Sequence, residues 1–224
     1  MKNFFSGFFL LLLLTIIQTN LLALNKIDPF DEIILLGNVS ALLVEGTTES
    51  IDIKNDEDQL EYEVVGKSLK VKAKDLVKYN KTPTVKVVIT YKTIRIIRAR
   101  AGASVYSQNP ITGDKIVLRF SSGASGEIEI SQNSLEVNVS EGGNLQLKGK
   151  TQWQEVRVAT GGIVSAYDLE CDNAFVKANT GGSAQVTARK SIDANANTGG
   201  SIIYKGNPKK IKEKDGISGT VKKG

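Results

Sequence analysis

The sequence predicts an all-β chain wound into a solenoid, with short strands stacked rung upon rung. Three observations carry this expectation. Apolar and polar residues alternate along most of the chain, and helical periodicity is nearly absent. A glycine-centred corner recurs about every twenty residues after residue 100. The positions flanking that corner repeat in character as well as in spacing.

The first residues read as a leader and not as part of the fold. Lys2 supplies a positive start, residues 8–17 are apolar except for Thr15, and Ala23 offers a small residue for cleavage. That layout predicts a signal peptide over 1–23 and an exported protein. Leu21 stands where a second small residue is usual, and the alternative is a retained membrane anchor. With no cysteine near residue 23, a lipoprotein anchor is not expected. No later stretch is long and apolar enough to span a bilayer as a helix, so the mature chain is expected to lack a transmembrane segment.

The remainder reads as one domain, 27–221, in two textures. Residues 27–100 are rich in short strands, such as Ser50-Ile51-Asp52-Ile53, Leu60-Glu61-Tyr62-Glu63-Val64 and Leu69-Lys70-Val71-Lys72-Ala73. Val65-Gly66-Lys67-Ser68 between the last two predicts a hairpin turn. Residues 85–89 are more continuously apolar and are expected to be more deeply buried.

Residues 101–221 carry the repeat. Gly102-Ala103, Gly123-Ala124, Gly142-Gly143, Gly161-Gly162, Gly181-Gly182 and Gly199-Gly200 follow one another at spacings of 21, 19, 19, 20 and 18, and Gly219 continues the series. Three residues before the first glycine stand Ala99, Phe120, Val139, Val158, Ala178 and Ala196. Five before it stand Ile97, Leu118, Val137, Val156, Val176 and Ala194. Apolar residues also recur three and five positions after it. Each repeat is therefore strand, small-residue corner, strand, with one apolar face. Such a unit cannot bury that face alone, and stacking equal units does so. The corner glycines are expected to take positive φ or to admit a neighbouring rung. The rival is an antiparallel meander with Gly-Gly hairpins. It requires a turn signal between every pair of strands, whereas the second connection of each repeat is irregular. Inward residues shrink from Ile116, Leu118 and Phe120 to Ile192, Ala194 and Ala196, so the C-terminal end is expected to fray first.

With these corners, the leader and the strand-rich first half, the chain resembles the auto-transporter adhesin head GIN domain family of bacterial envelope proteins. The closing Gly206-Asn207-Pro208 and Ile217-Ser218-Gly219-Thr220-Val221 are similar to that family's end. The resemblance implies a single-stranded right-handed parallel β-helix, a Bacteroidota source and export to the cell envelope.

Composition removes several chemistries. There is no histidine, which excludes the commonest general base, the usual triads and most zinc sites. The single cysteine, Cys171, excludes an internal disulfide and reads as a buried or half-buried small residue. Net charge is +5, with Lys+Arg 29 against Asp+Glu 24. Much of the excess lies near the C-terminus, in Lys205, Lys209, Lys210, Lys212, Lys214, Lys222 and Lys223, and reads as a solvated basic end. Without aromatic and basic interleaving, nucleic acid is not an expected partner.

The best acidic cluster is Asp168-Leu169-Glu170-Cys171-Asp172. In an extended strand Asp168, Glu170 and Asp172 point to one side and could hold a cation. No other repeat has acids at that offset, and a solvated edge is the favoured reading. Glu127 and Glu129 read as a polar strand face. Arg95, Arg98 and Arg100 could bind an anionic glycan but read first as charges balanced by nearby acids. Trp153, with Tyr167 and Tyr204, could stack on sugars, the plainer reading of Trp153 being a cap over the core edge. Asn38, Asn80 and Asn138 begin N-glycosylation patterns that carry little meaning in a bacterial host.

The expected protein is therefore a non-enzymatic, exported β-solenoid that acts as a binding, adhesin-like or structural module. It needs no catalytic, cofactor-binding or metal residues and no cofactor. Its expected partners are a surface glycan, a protein, or another copy met through the solenoid ends. The alternative is a carbohydrate-active β-helix enzyme, a lyase or hydrolase, which would need carboxylates converging in a groove.

Overall fold

The structure, a computed structural model, describes residues 25–74 and 84–224. The expected leader over 1–23 and the pattern at Asn80 lie outside the described residues. Among those described there is no α-helix, only a 3-10 turn at Glu57–Gln59.

The first nine strands are β1 (Asn25–Lys26), β2 (Glu32–Leu36), β3 (Val39–Glu45), β4 (Ser50–Ile53), β5 (Leu60–Val65), β6 (Ser68–Ala73), β7 (Val85–Tyr91), β8 (Ile96–Arg100) and β9 (Ser104–Ser107). Longer strands follow as β10 (Ile111–Phe120), β11 (Ser125–Val139), β12 (Asn144–Val158) and β13 (Ile163–Ala178). The chain ends on β14 (Ser183–Thr187), β15 (Ser191–Ala196), β16 (Ser201–Lys205), β17 (Lys210–Asp215) and β18 (Thr220–Lys223). All belong to one 18-stranded sheet, coiled through about seven turns with parallel stacking.

The rungs pair in register. Leu118 faces Val137, Val137 faces Val156, Val156 faces Val176, and Val176 faces Ala194. These five side chains are fully buried, because the strand period of two sends the same columns inward in every rung. The antiparallel meander is thereby excluded for the repeats.

The six corners from Gly102 to Gly199 are tight turns with two consecutive positive φ angles, whereas at the last corner only Ser218 has one and Gly219 lies over Gly200. Thr180 and Gly181 stand at 49° and 72°, and Gly182 N–H donates to the Asn179 carbonyl at 2.9 Å. This is type I′ geometry, normally the reversal of a hairpin, here joining two sides of one rung. The second small residue has a different role. A Cβ on Gly182 would lie 2.7 Å from the carbonyl oxygen of Val158 in the rung below. Both expected uses of glycine thus occur, at adjacent positions.

The first half is not stacked in chain order. β2 lies between β6 and β8, and β3 between β7 and β9, all parallel. Three antiparallel strands close this end: β5 on β6, β4 on β7 and β1 on β4. The hairpin between β5 and β6 turns at Gly66, φ 63°, as expected. β7 is not continuously buried, because Val85, Val87 and Ile89 face the core while Lys86 is exposed and Val88 half-exposed. The outward Val88 lies between Leu42 and Asp52 of the two neighbouring strands.

The core does thin toward the C-terminus. Phe120, Ile116 and Leu118 give way to Ala184, Ala194 and Ala196, all buried. Tyr204 fills the last interior space. Its hydroxyl donates to Glu213 Oε1 at 2.6 Å, and that bond, with burial, pushes its pKa up to about 12. β17 is exposed along its whole length.

Candidate functional site

The acidic cluster does not converge. Asp168 and Glu170 are exposed on β13, and Asp172 is half-buried. Glu170 pairs with Arg189 at 3.1 Å and Asp172 with Lys190 at 2.7 Å, each across one rung step. Among the described residues no three acidic or cysteine side chains gather as a metal would require. Glu129 pairs with Lys148 at 3.4 Å on the outer face.

Two of the three junction arginines also find acids, while Arg100 is exposed at the end of β8. Arg95 reaches Asp31 at 2.6 Å, and Arg98 reaches Glu32, which also accepts from the Ser68 hydroxyl. Burial alone would raise the Glu32 pKa. The hydroxyl and the guanidinium outweigh it and hold the carboxyl below its ordinary value.

The second bend of each rung is where the repeat stops dictating residue type. Gly113, Gln132, Thr151 and Cys171 stack there in one column. Gln132 is 5% exposed. Its Nε2 donates to the Ile111 carbonyl at 3.0 Å, and its Oε1 has no hydrogen-bond partner. Cys171 Sγ donates to the Asn173 carbonyl at 3.1 Å, and burial pushes its thiol up to about 12. Outside this column runs a line of polar side chains. Asn133 Nδ2 donates to Asp114 Oδ1 at 2.9 Å, Gln152 Nε2 to Asn133 Oδ1 at 3.2 Å, and Ser191 Oγ to Asn173 Oδ1 at 2.8 Å. Asn133 and Gln152, with Gln132 and Thr151, line a shallow groove of about 270 Å³, bordered by Lys150, Glu170, Asp172 and Arg189.

One residue further along, the surface becomes aromatic. Trp153 is 59% exposed and covers no core edge. A concavity of about 270 Å³ separates it from Phe175, Ile192 and Ile211, with Lys210 and Asp193 at its rim. A second, of about 450 Å³, lies on its other side toward Lys115, Leu135 and Glu136. The three aromatics do not meet. Tyr204 is buried, and Tyr167 is half-buried with Lys205 over its ring at 4.0 Å. The polar line beside Trp153 was not legible as a site, although Gln132, Asn133, Thr151 and Gln152 recur at the repeat spacing.

An exposed indole beside amide, hydroxyl and charged groups can stack on the apolar face of a sugar ring and hydrogen-bond its hydroxyls.

Residues 29–208 match the family described as "Putative auto-transporter adhesin, head GIN domain". The fold is similar to that of a putative adhesin from Bacteroides fragilis NCTC 9343 (TM-score 0.80, 22% identity, 88% of this chain and 94% of the other). It is also similar to a putative adhesin from Parabacteroides distasonis ATCC 8503 (TM-score 0.69, 20% identity, 89% and 94%). A putative lipid binding protein from the same strain superposes at TM-score 0.67 with 23% identity, over 89% and 94%. No curated protein matches the chain.

Proposed function

We propose that this chain, which belongs to the auto-transporter adhesin head GIN domain family, is an exported, non-catalytic binding module of the bacterial envelope whose ligand is a glycan. Residues 27–221 act as one domain, and the site is the second bend of the solenoid around Trp153. One observation carries this reading: an exposed indole stands directly beside a polar groove, on the one part of each rung that packing leaves free to vary. The names given to the structural relatives, adhesins and a lipid binding protein, support a binding role.

The second reading is a polysaccharide lyase or hydrolase. It is disfavoured because Glu170 and Asp172, although both line the groove, are each paired with a cation, Arg189 and Lys190, and not set facing one another as a catalytic pair. One experiment separates the two. The mature chain is applied to a glycan array and then incubated with the glycans it retains. Retention without new reducing or unsaturated ends is expected. Reproducible cleavage would replace the proposal with the enzyme, and retention by lipid vesicles alone would replace the glycan with a membrane. Cell fractionation tests export.

A further inference from the structure

The two ends of the stack are open edges of opposite character. At one end β5 bonds only to β6, and at the other β17 bonds only to β15. Both strands terminate the same side of the coil. The outward column that begins at Glu63 passes through Lys70, Ile34 and Arg98 and ends at Lys214.

The charge on the two edges is complementary. β17 points Lys210, Lys212 and Lys214 outward, while β5 points Glu61 and Glu63 outward, with Glu57 and Asp58 just before it. The side chain of Glu63 is 64% exposed despite its 3.5 Å contact with Lys70, a surface pair that leaves it open to a second cation. Each edge also leaves apolar surface uncovered. Tyr62 and Val65 are 36% and 48% exposed at one end, and Ile211 and Ile217 are 52% and 82% exposed at the other. These are four of the seven large exposed apolar residues among those described, so uncovered apolar surface concentrates where the rungs stop.

We propose that copies of this chain associate head to tail, β17 of one copy pairing with β5 of the next. The pair is antiparallel, because β17 runs with the rungs and β5 runs against β6. Continuing the columns brings Lys214 over Glu63 of the next copy and covers apolar residues from both ends. Charged edges repel their own kind, so lysine cannot meet lysine nor glutamate meet glutamate. Only the unlike ends join. The contact is heterologous and leaves a free edge at each end, so association continues as a row and does not stop at a dimer. This inference is independent of the glycan site and stands or falls without it.

Sedimentation of the mature chain tests it, from roughly 1 to 500 µM in low salt and again in 1 M salt, where the Debye length falls to about 3 Å. The average mass is expected to rise with concentration without a plateau, and high salt to weaken association several-fold. Two variants, K212E/K214E and E61K/E63K, each keep one native end and are expected to stay monomeric. Mixing them restores association, because each reversed edge then meets its complement. Circular dichroism confirms that both variants fold. The single changes Lys214→Glu and Glu63→Lys repeat the test with half the perturbation. A chain that stays monomeric at all concentrations in low salt would overturn the proposal. So would a plateau at a dimer, or a mixture that does not associate.

Discussion

Gly200 lies so close under Ala178 that a Cβ on the glycine would sit 2.2 Å from the alanine's carbonyl oxygen. A Cβ on the adjacent Gly199 would meet only Gly181 N, at an ordinary 3.9 Å, but its φ is 74°. The two glycines of a corner therefore resist substitution for different reasons. Gly200→Ala is expected to cost about 1–3 kcal/mol by overpacking, and Gly199→Ala about 1 kcal/mol from backbone strain. Urea denaturation of both variants ranks them. Equal losses would show that the rungs separate easily at this corner.

Trp153 is the only tryptophan, so its fluorescence reports on one place. Trp153→Ala is expected to abolish glycan retention while changing stability by no more than about 0.5 kcal/mol, as for an exposed residue without packing partners. In the native chain a bound glycan is expected to shift the emission to the blue. Retention that survives the substitution moves the site elsewhere.

With its thiol pushed up to about 12, Cys171 is almost entirely protonated at pH 8, roughly one thiolate in ten thousand. A thiol reagent is expected to leave the folded chain unmodified for hours and to react fully once urea unfolds it. Rapid native modification would mean that the second bend opens.

Glu32 titrates below its ordinary value in the folded state. Its stabilising contribution is therefore complete above the ordinary glutamate pKa and is lost as pH falls through the lowered one. Arg98→Ala is expected to cost about 1.5–3 kcal/mol near neutrality, the range for a charge-assisted hydrogen bond, and the gap should close in acid. A gap that is constant from pH 7 to about pH 2 would assign the loss to packing.

The thin C-terminal core makes an ordered prediction for amide exchange at low protein concentration. The amides of β17 and β18 are expected to exchange first and those of β11 and β12 last. Uniform protection would contradict the alanine-lined interior as the weak end.

The corners and their flanking columns were readable because a stacked rung repeats its environment, so Val137, Val156 and Val176 meet the same demand. The N-terminal block was not. β2, β6 and β8 are all short alternating strands, and nothing in Ile33, Leu69 or Ile97 says which lies in the middle. Trp153 was singled out as an aromatic in a variable connection, but its exposure depends on the bend, where Gln152 and Trp153 both face outward between buried Thr151 and Gln154. The polar line from Asn133 through Gln152 to Asp172 stayed hidden for another reason. An irregular register between β12 and β13, near Gln146 and Lys148, shifts the spacing by one residue midway through the column.

Because β2 and β3 are sandwiched between strands that come later in the chain, no rung of the first half is complete until β8 and β9 have arrived. Strands β2, β3 and β6 to β9 must gather as a block, closing long loops before β2 and β3 are paired on both sides. Every later rung then has a finished template to land on. Folding is therefore expected to have two tempos: a slow closure at one end, then a faster zippering outward. Loss of a middle rung shortens the product, whereas damage to the block removes the template on which the rest is built.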